Sequence, residues 1–223
     1  MMILAVTDIH DRSRYAKKLA NIKRDLTIVI GDMTYFRSKD QAIKILKSLK
    51  GNEPLLFVPG NCDDYELLHV RRINGIVNIH GESVSYDNEG LVFIGLGGSN
   101  VTPFTTPIEF TEEEIWETLI KALHNAGINR NSKDKSLILV SHAPPYNTSL
   151  DLTHFGEHVG SISVRRFIEE FQPILCLCGH IHEARGIDKI GNTLIVNPGP
   201  LMHKFYAIIR IEGKKVDVNM YRL

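Results

Sequence analysis

The chain has 223 residues, 43% of them hydrophobic, enough for one sizeable core, and no Ser/Gly-rich or charge-rich linker divides it. Lysine plus arginine equals aspartate plus glutamate at 26 each, which excludes a bulk electrostatic pull toward nucleic acid or an anionic membrane. The amino terminus shows neither a basic segment nor a long apolar stretch, so the expectation is one cytoplasmic domain over 1–223 without export or a membrane span.

ILAV before Asp8 reads as a first buried strand, followed by a short, weakly patterned helix over 13–20. LTIVI before Asp32 reads as a second strand. Ser38 and Gln41 then have capping-box spacing ahead of Ala42, Ile45, Leu46 and Leu49, which follow the helical period, and Gly51 stands where the stop belongs. LLFV before Asn61 is a third strand. Beyond 59–64 the segment to Ile73 reads as helix, and 76–86 and 91–96 read as two strands around a turn at 87–90. Thr111 and Glu114 form a second capping box before Ile115, Trp116, Leu119, Ala122 and Leu123, with Gly127 closing the helix and Trp116 assigned to packing. LILVS before His142 and ILCLC before His180 are strands, separated by a helix over 161–171 with Val164, Phe167, Ile168 and Phe171 on one face. The tail returns to strands at 193–196, 205–211 and 215–221. This order predicts an α/β protein with two stacked sheets, each covered by helices. Cys62, Cys176 and Cys178 form no even-numbered framework, and the last two share a face of one apolar run, so they are expected to be small core residues.

Five apolar runs end in a metal-capable residue, Asp8, Asp32, Asn61, His142 and His180, which would gather these side chains at the carboxyl edge of one sheet. His10 and His182 lie two positions beyond Asp8 and His180, giving seven candidate ligands, too many for one ion. A structural zinc site closes with four ligands, usually rich in cysteine, whereas a mixed carboxylate, imidazole and amide set suits two first-row divalent ions sharing a bridge. Ions paired about 3.5 to 4 Å apart are the usual apparatus for in-line attack at phosphorus, so a hydrolase of phosphate esters is expected. The ligand types admit manganese, iron, zinc, nickel or cobalt and disfavour magnesium, which takes few imidazoles.

The motifs Asp8-Ile9-His10, Gly31-Asp32, Gly60-Asn61-Cys62-Asp63, Ser141-His142 and Gly179-His180-Ile181-His182 follow the pattern DxH, GD, GNH plus an acid, small residue plus His, and GHxH. In that order the series resembles the calcineurin-like metallophosphoesterase superfamily. The resemblance implies an α/β/β/α sandwich of two mixed sheets. It also implies one ion on Asp8, His10 and His182, a second on Asn61, His142 and His180, and Asp32 bridging them. A hydroxide held between the ions would attack phosphorus in line, with manganese the ion expected for activity in vitro. Asp32, Asn61, His142, Cys62 and Asp63 form the expected catalytic set. Cys62 stands where a histidine usually does, and a thiol of ordinary pKa, about 8.5, is a poorer proton donor at neutral pH than an imidazolium. The Gly-Asn-Cys-Asp version looks like the phosphodiesterase-type subset, and the chain resembles predicted phosphoesterases related to bacterial cyclic-nucleotide phosphodiesterases. Asp11, where a glycine commonly follows the first motif, is read as a turn residue.

The polar loop over 143–160 leaves a ligand-bearing strand and should overhang the metals, so His154 or His158 is expected to bind the phosphate or supply the leaving-group proton; Asn61 is expected to contact substrate as well. Asn197-Pro198-Gly199-Pro200 either lines the site or forms a rigid turn, and Gly97 and Gly98 either permit close approach of a phosphate or only punctuate a strand, the commoner use of such a pair. His69, His80, His124 and His203 fall outside every motif. The expected partner is a small phosphate ester, with a homodimer burying exposed strand surface as a compatible assembly. Two enzymatic alternatives use the same site, a phosphomonoesterase or a nuclease, but a nuclease calls for a basic groove with interleaved aromatics that the sequence lacks. A metal-depleted scaffold that binds proteins would have lost ligands, and all seven positions are retained.

Overall fold

The computed structural model describes residues 1–128 and 135–223. In chain order the elements are β1 (Met2–Val6), α1 (Ser13–Leu19), β2 (Leu26–Ile30), α2 (Lys39–Leu49), β3 (Leu55–Val58), β4 (Arg72–Ile73), β5 (Ile76–Asn78), β6 (Ser83–Tyr86) and β7 (Leu91–Leu96). They continue as β8 (Ser99–Asn100), β9 (Glu109–Phe110), α3 (Glu112–Asn125), β10 (Ser136–Ser141), α4 (Ile162–Phe171), β11 (Leu175–Leu177), β12 (Gly186–Ile190), β13 (Thr193–Asn197), β14 (Phe205–Glu212) and β15 (Lys215–Arg222).

Seven strands pair in the order β15-β14-β1-β2-β3-β5-β4 and six in the order β12-β13-β11-β10-β7-β6. Each sheet is parallel in its middle and antiparallel at its flanks, which makes both mixed. Central parallel strands are buried on both faces, which is why they read as continuous apolar runs. Ile3 and Ala5 of β1 join Ile28, Val58, Phe93, Ile138 and Leu177 in the core between the sheets. Their neighbours Leu4 and Val6 point the other way, onto Ala16, Leu19, Ala42 and Ile45 of α1 and α2. On the far side Val92, Ile94, Cys176 and Cys178 pack beneath Leu119 of α3 and Phe167 of α4. The layers are therefore helix, sheet, sheet, helix, and the two core cysteines share one face as expected.

The ligand-bearing runs do not end on one sheet edge, contrary to the sequence reading. β1, β2 and β3 lead to Asp8, Asp32 and Asn61 from the seven-stranded sheet, whereas β10 and β11 lead to His142 and His180 from the six-stranded one. Val6 pairs with Val29 and Ile30 with Val58, so the first three exits lie at one level.

Three local expectations also change. Ser38 makes no side-chain cap; the first amide of α2, Lys39 N, donates instead to Asp64 Oδ2 at 2.8 Å. Gly51 does follow the C-cap, Lys50, as expected, though without a left-handed φ, and the buried Arg24 donates through Nη2 to the Leu49 carbonyl at 2.8 Å and through Nη1 to the carbonyls of Leu19, Ala20 and Ile22 at and just after the end of α1. The stretch from Asp64 to Ile73 holds only a short 3-10 turn, Tyr65–His69, before β4. Residues 76–86 are two strands in different sheets, with the chain crossing between them at 79–82. β12 was not anticipated. The capping box of Thr111 and Glu114 does form, and Gly127 follows α3 at φ +65°. Among the described residues no helix is long and apolar enough to cross a membrane.

Candidate metal centre

At the strand exits the chain turns sharply. Asp8, His10, Asp32 and His180 all take positive φ, between 42° and 69°, a conformation uncommon for residues with a Cβ and concentrated where function over-determines the backbone. Asp11 does the same at 63° and accepts from Tyr35 N at 3.1 Å, which fits its reading as a turn residue. Two motif glycines have steric causes. A Cβ at Gly60 would run into the Asp32 carboxylate, and one at Gly31 into the His142 imidazole.

Asp8, His10 and His182 form one group whose ligand atoms lie within 4.8 Å of one another, and Asp8, Asp32 and His142 form another. In the first, His10 Nε2 lies 3.1 Å from His182 Nε2, and Asp8 Oδ1 is 3.3 Å from His182 Nε2 and 3.8 Å from His10 Nε2. In the second, His142 Nε2 lies 3.6 Å from Asp32 Oδ1 and 3.1 Å from Asn61 Oδ1. The other oxygen of Asp32, Oδ2, is 3.6 Å from His10 Nε2, so this one carboxylate spans both groups. His180 lies outside both, its ring edge-on to His142 with centroids 5.2 Å apart. Ligands about 2.1 Å from a first-row ion stand about 3.0 to 3.4 Å apart, so the spacing of these lone-pair atoms suits such cations. The chemistry of the set agrees. His10 and His182 turn ring nitrogens toward each other beside buried carboxylates, and His10 Nδ1 is buried with no hydrogen-bond partner.

The supporting bonds aim the ligands. His142 Nδ1 can only donate to the Ile30 carbonyl, 2.6 Å away, which leaves Nε2 as the nitrogen facing Asp32 and Asn61. Thr7 Oγ1 donates to Asp8 Oδ2 at 2.7 Å, and Cys62 N donates to Asp32 Oδ1 at 2.9 Å. Asn61 Nδ2 donates to Thr106 Oγ1 at 3.0 Å, turning the amide oxygen toward His142, and Thr106 Oγ1 donates to Glu109 Oε1 at 2.6 Å. Thr106 and Glu109 carried no sequence signal, since the contact spans a long loop. Asn197 Nδ2 donates to the Ile181 carbonyl at 3.0 Å and Met202 N to the Asp8 carbonyl at 3.0 Å, so the Asn-Pro-Gly-Pro segment together with the turn that follows it clamps the first and last motifs together.

Burial pushes the Asp8 carboxyl up, but the His182 hydrogen bond and the charges of His142, His182 and His10 hold it well below the usual range. Asp32 is lowered in the same way, burial being outweighed mainly by His142. Burial opposes a charge on His142, yet Asp32 and Asp8 raise it to about 9, so a cation binding there must displace a proton. Burial and the charge of His142 bring His180 down to about 4 and keep it neutral.

Two members of the expected catalytic set stand differently. Burial and the Asp32 charge push the Cys62 thiol far above its ordinary value, which suits neither a thiolate nucleophile nor a proton donor. Asp63 is fully buried, and its oxygens accept from Gly60 N, Met33 N, Thr34 N and Thr34 Oγ1 at 2.9 to 3.2 Å; it is a positioning residue that ties the Asp32 loop to the Asn61 loop. The loop histidines separate too. His158 donates through Nδ1 to the buried Asp151 Oδ1 at 2.8 Å and lines a cavity together with His180 and His182, whereas the exposed His154 does not line it and gives its backbone N–H to Glu183. Gly97 and Gly98 pack against Pro59 and Ile108 and offer no phosphate cradle.

Among curated proteins, the chain is 42% identical over 211 residues to an uncharacterized protein of Methanocaldococcus jannaschii, covering 92% of this chain and 91% of that one. A crystal structure of a Thermus thermophilus protein shares the fold at a TM-score of 0.71 and 20% identity, covering 98% of this chain and 97% of the other. A dimetal phosphatase from Danio rerio superposes at a TM-score of 0.62 and 9% identity over 100% and 98% of the two chains. The sequence profile of the calcineurin-like phosphoesterases matches residues 1–184. With the five motifs inside that span and the two ligand groups at its strand exits, this chain belongs to the calcineurin-like phosphoesterases, divalent-metal-dependent hydrolases of phosphate esters.

Proposed function

We propose that this single-domain protein is a cytoplasmic phosphodiesterase working with two divalent ions, manganese serving in vitro. The observation that carries the reading is Asp32, whose two oxygens each lie 3.6 Å from a histidine of a different group. A group shared by two dications needs two oxygens and a net negative charge to offset their repulsion. Asp8, His10 and His182 would hold one ion and Asn61, His142 and His180 the other, with Asp32 between. Bound there, two divalent cations supply Lewis acidity and make water a nucleophile at neutral pH. Free thiols at Cys62, Cys176 and Cys178 suit a reducing compartment.

The preference for diesters rests on Cys62. In the Gly-Asn-Cys-Asp motif this thiol stands where the commoner pattern has a histidine, and burial beside Asp32 holds its proton too tightly for it to take over that histidine's part at the leaving oxygen of a monoester. With the chain reconstituted in several divalent ions, kcat/KM for a bis-aryl phosphate should exceed that for the aryl monophosphate at least about tenfold. The reverse order would overturn the diester assignment; no turnover of either ester with any ion would overturn the enzyme itself.

His158 is the side chain we assign to the leaving oxygen. Asp151 accepts its Nδ1 proton and so leaves Nε2 to exchange one at the cavity. His158→Ala should slow diesters with alkyl leaving groups about 100-fold and p-nitrophenyl diesters less than about threefold, because p-nitrophenolate leaves unprotonated. Equal losses for both would remove His158 from this role.

A further inference from the structure

A cavity of about 620 Å³ opens beside the metal centre, with His180 and His182 in its wall. Its lips are held together, since Asn100 Nδ2 donates to the Val159 carbonyl at 3.2 Å. Val101, Phe104, Tyr146, Phe155 and Ile162 all line it and are all exposed, Phe104 by 82% and Phe155 by 92%. Large apolar side chains exposed singly are ordinary, but a cluster of them around one opening marks a surface that something apolar covers. Phe155 is presented by a hydrogen-bonded turn. Thr153 N donates to the Glu157 carbonyl and Gly156 N to the Thr153 carbonyl, both at 2.9 Å, and His154 N donates to Glu183 Oε1 one residue from His182.

The charges in the wall carry the second half of the argument. Glu112, Glu157 and Glu183 line the cavity, and among the described residues no lysine or arginine does. Glu112 is occupied in accepting from Ser161 Oγ, Ile162 N and Ser163 N at the start of α4. A second phosphate or a carboxylate on the far side of this space would meet Glu157 and Glu183 with no lysine or arginine to pair it. A flat uncharged ring would meet aromatic faces.

Resting on the phosphodiester reading, we propose that this cavity is the subsite for one organic arm of the ester, and that the arm is an uncharged aromatic group bearing no further phosphate or carboxylate. Continuity decides the occupant. The wall shares His180 and His182 with the centre, so a phosphorus atom held there projects one of its substituents into the cavity. Polynucleotides and phosphorylated sugars, whose next anionic group would fall in the same space, are excluded as preferred substrates.

Non-hydrolysable phosphonates test this by calorimetry on the manganese-loaded chain. Phenylphosphonate should bind at least about tenfold more tightly than methylphosphonate, and 4-sulfophenylphosphonate should lose that advantage. In Phe104→Ala/Phe155→Ala, whose two replaced side chains are largely in water and contribute little to the core, the phenyl-to-methyl ratio should fall to within about twofold of one. Equal affinity for phenyl and methyl in the unaltered chain, with diester turnover intact, overturns the subsite and leaves the phosphodiesterase reading standing. A sulfophenyl compound that binds as well as the phenyl one overturns the charge requirement. Failure of all three to bind, with no ester hydrolysed, overturns the phosphodiesterase reading and the subsite with it.

Discussion

Asp32→Asn is expected to lower kcat/KM for a bis-aryl phosphate by about 1,000-fold or more, roughly 4 kcal/mol of transition-state stabilisation. The substitution is isosteric and keeps an oxygen available to Cys62 N, which donates to Oδ1 at 2.9 Å, so the local fold has little reason to change. What disappears is the negative charge lying between the His10 and His142 groups. Without it, two dications repel each other across a neutral amide that offers one good oxygen. Metal analysis after dialysis should therefore find about one ion per chain in place of two. A variant that keeps both ions and more than a tenth of its activity would show that Asp32 is not shared.

Asp63→Ala is expected to cost about 3 kcal/mol or more in stability, read from denaturant unfolding without added metal, and to weaken metal binding as well. The side chain is completely buried, and its loss strands three backbone N–H groups, of Gly60, Met33 and Thr34, together with the Thr34 hydroxyl. Each unsatisfied buried donor costs about 1 to 3 kcal/mol. Those donors sit on the loops that deliver Asp32 and Asn61, so the same bonds that stabilise the fold set the spacing of the ligands. Asp63→Asn keeps one acceptor oxygen and should fall between the two. A loss below about 1 kcal/mol with unaltered metal affinity would show that the loops are held by something else.

The contrast between these residues shows how far the sequence could be read. Asp32 was legible because an apolar run and a Gly-Asp pair mark it, and both signals are local. Asp63 belongs to a motif and so read as part of the chemistry. Its work became visible only through hydrogen bonds to residues about 30 positions away. Ser38 failed for the same reason in reverse. Its capping spacing was right, but Asp64, arriving from the next loop, accepts from the first helical amide instead. The alternation over 76–86 announced strand and said nothing about partners, so the crossing from one sheet to the other went unseen. Thr106 and Glu109 had no pattern at all, because Thr106 accepts across a loop from an amide 45 residues away and Glu109 only holds Thr106 in place.

The amino-acid sequence by itself determined which segments become strands, that each ligand-bearing run stops at an Asp, Asn or His, and that the donor set suits divalent cations. Those are short-range properties, set by side-chain polarity against a period of two and by glycines where a Cβ would strike a ligand. Only the tertiary structure decided that the ligands come from two sheets instead of one edge, that His142 presents Nε2, that His158 and not His154 reaches the cavity, and that the cavity wall is aromatic and acidic. Each of these depends on pairings between segments far apart in the chain, which no local pattern encodes.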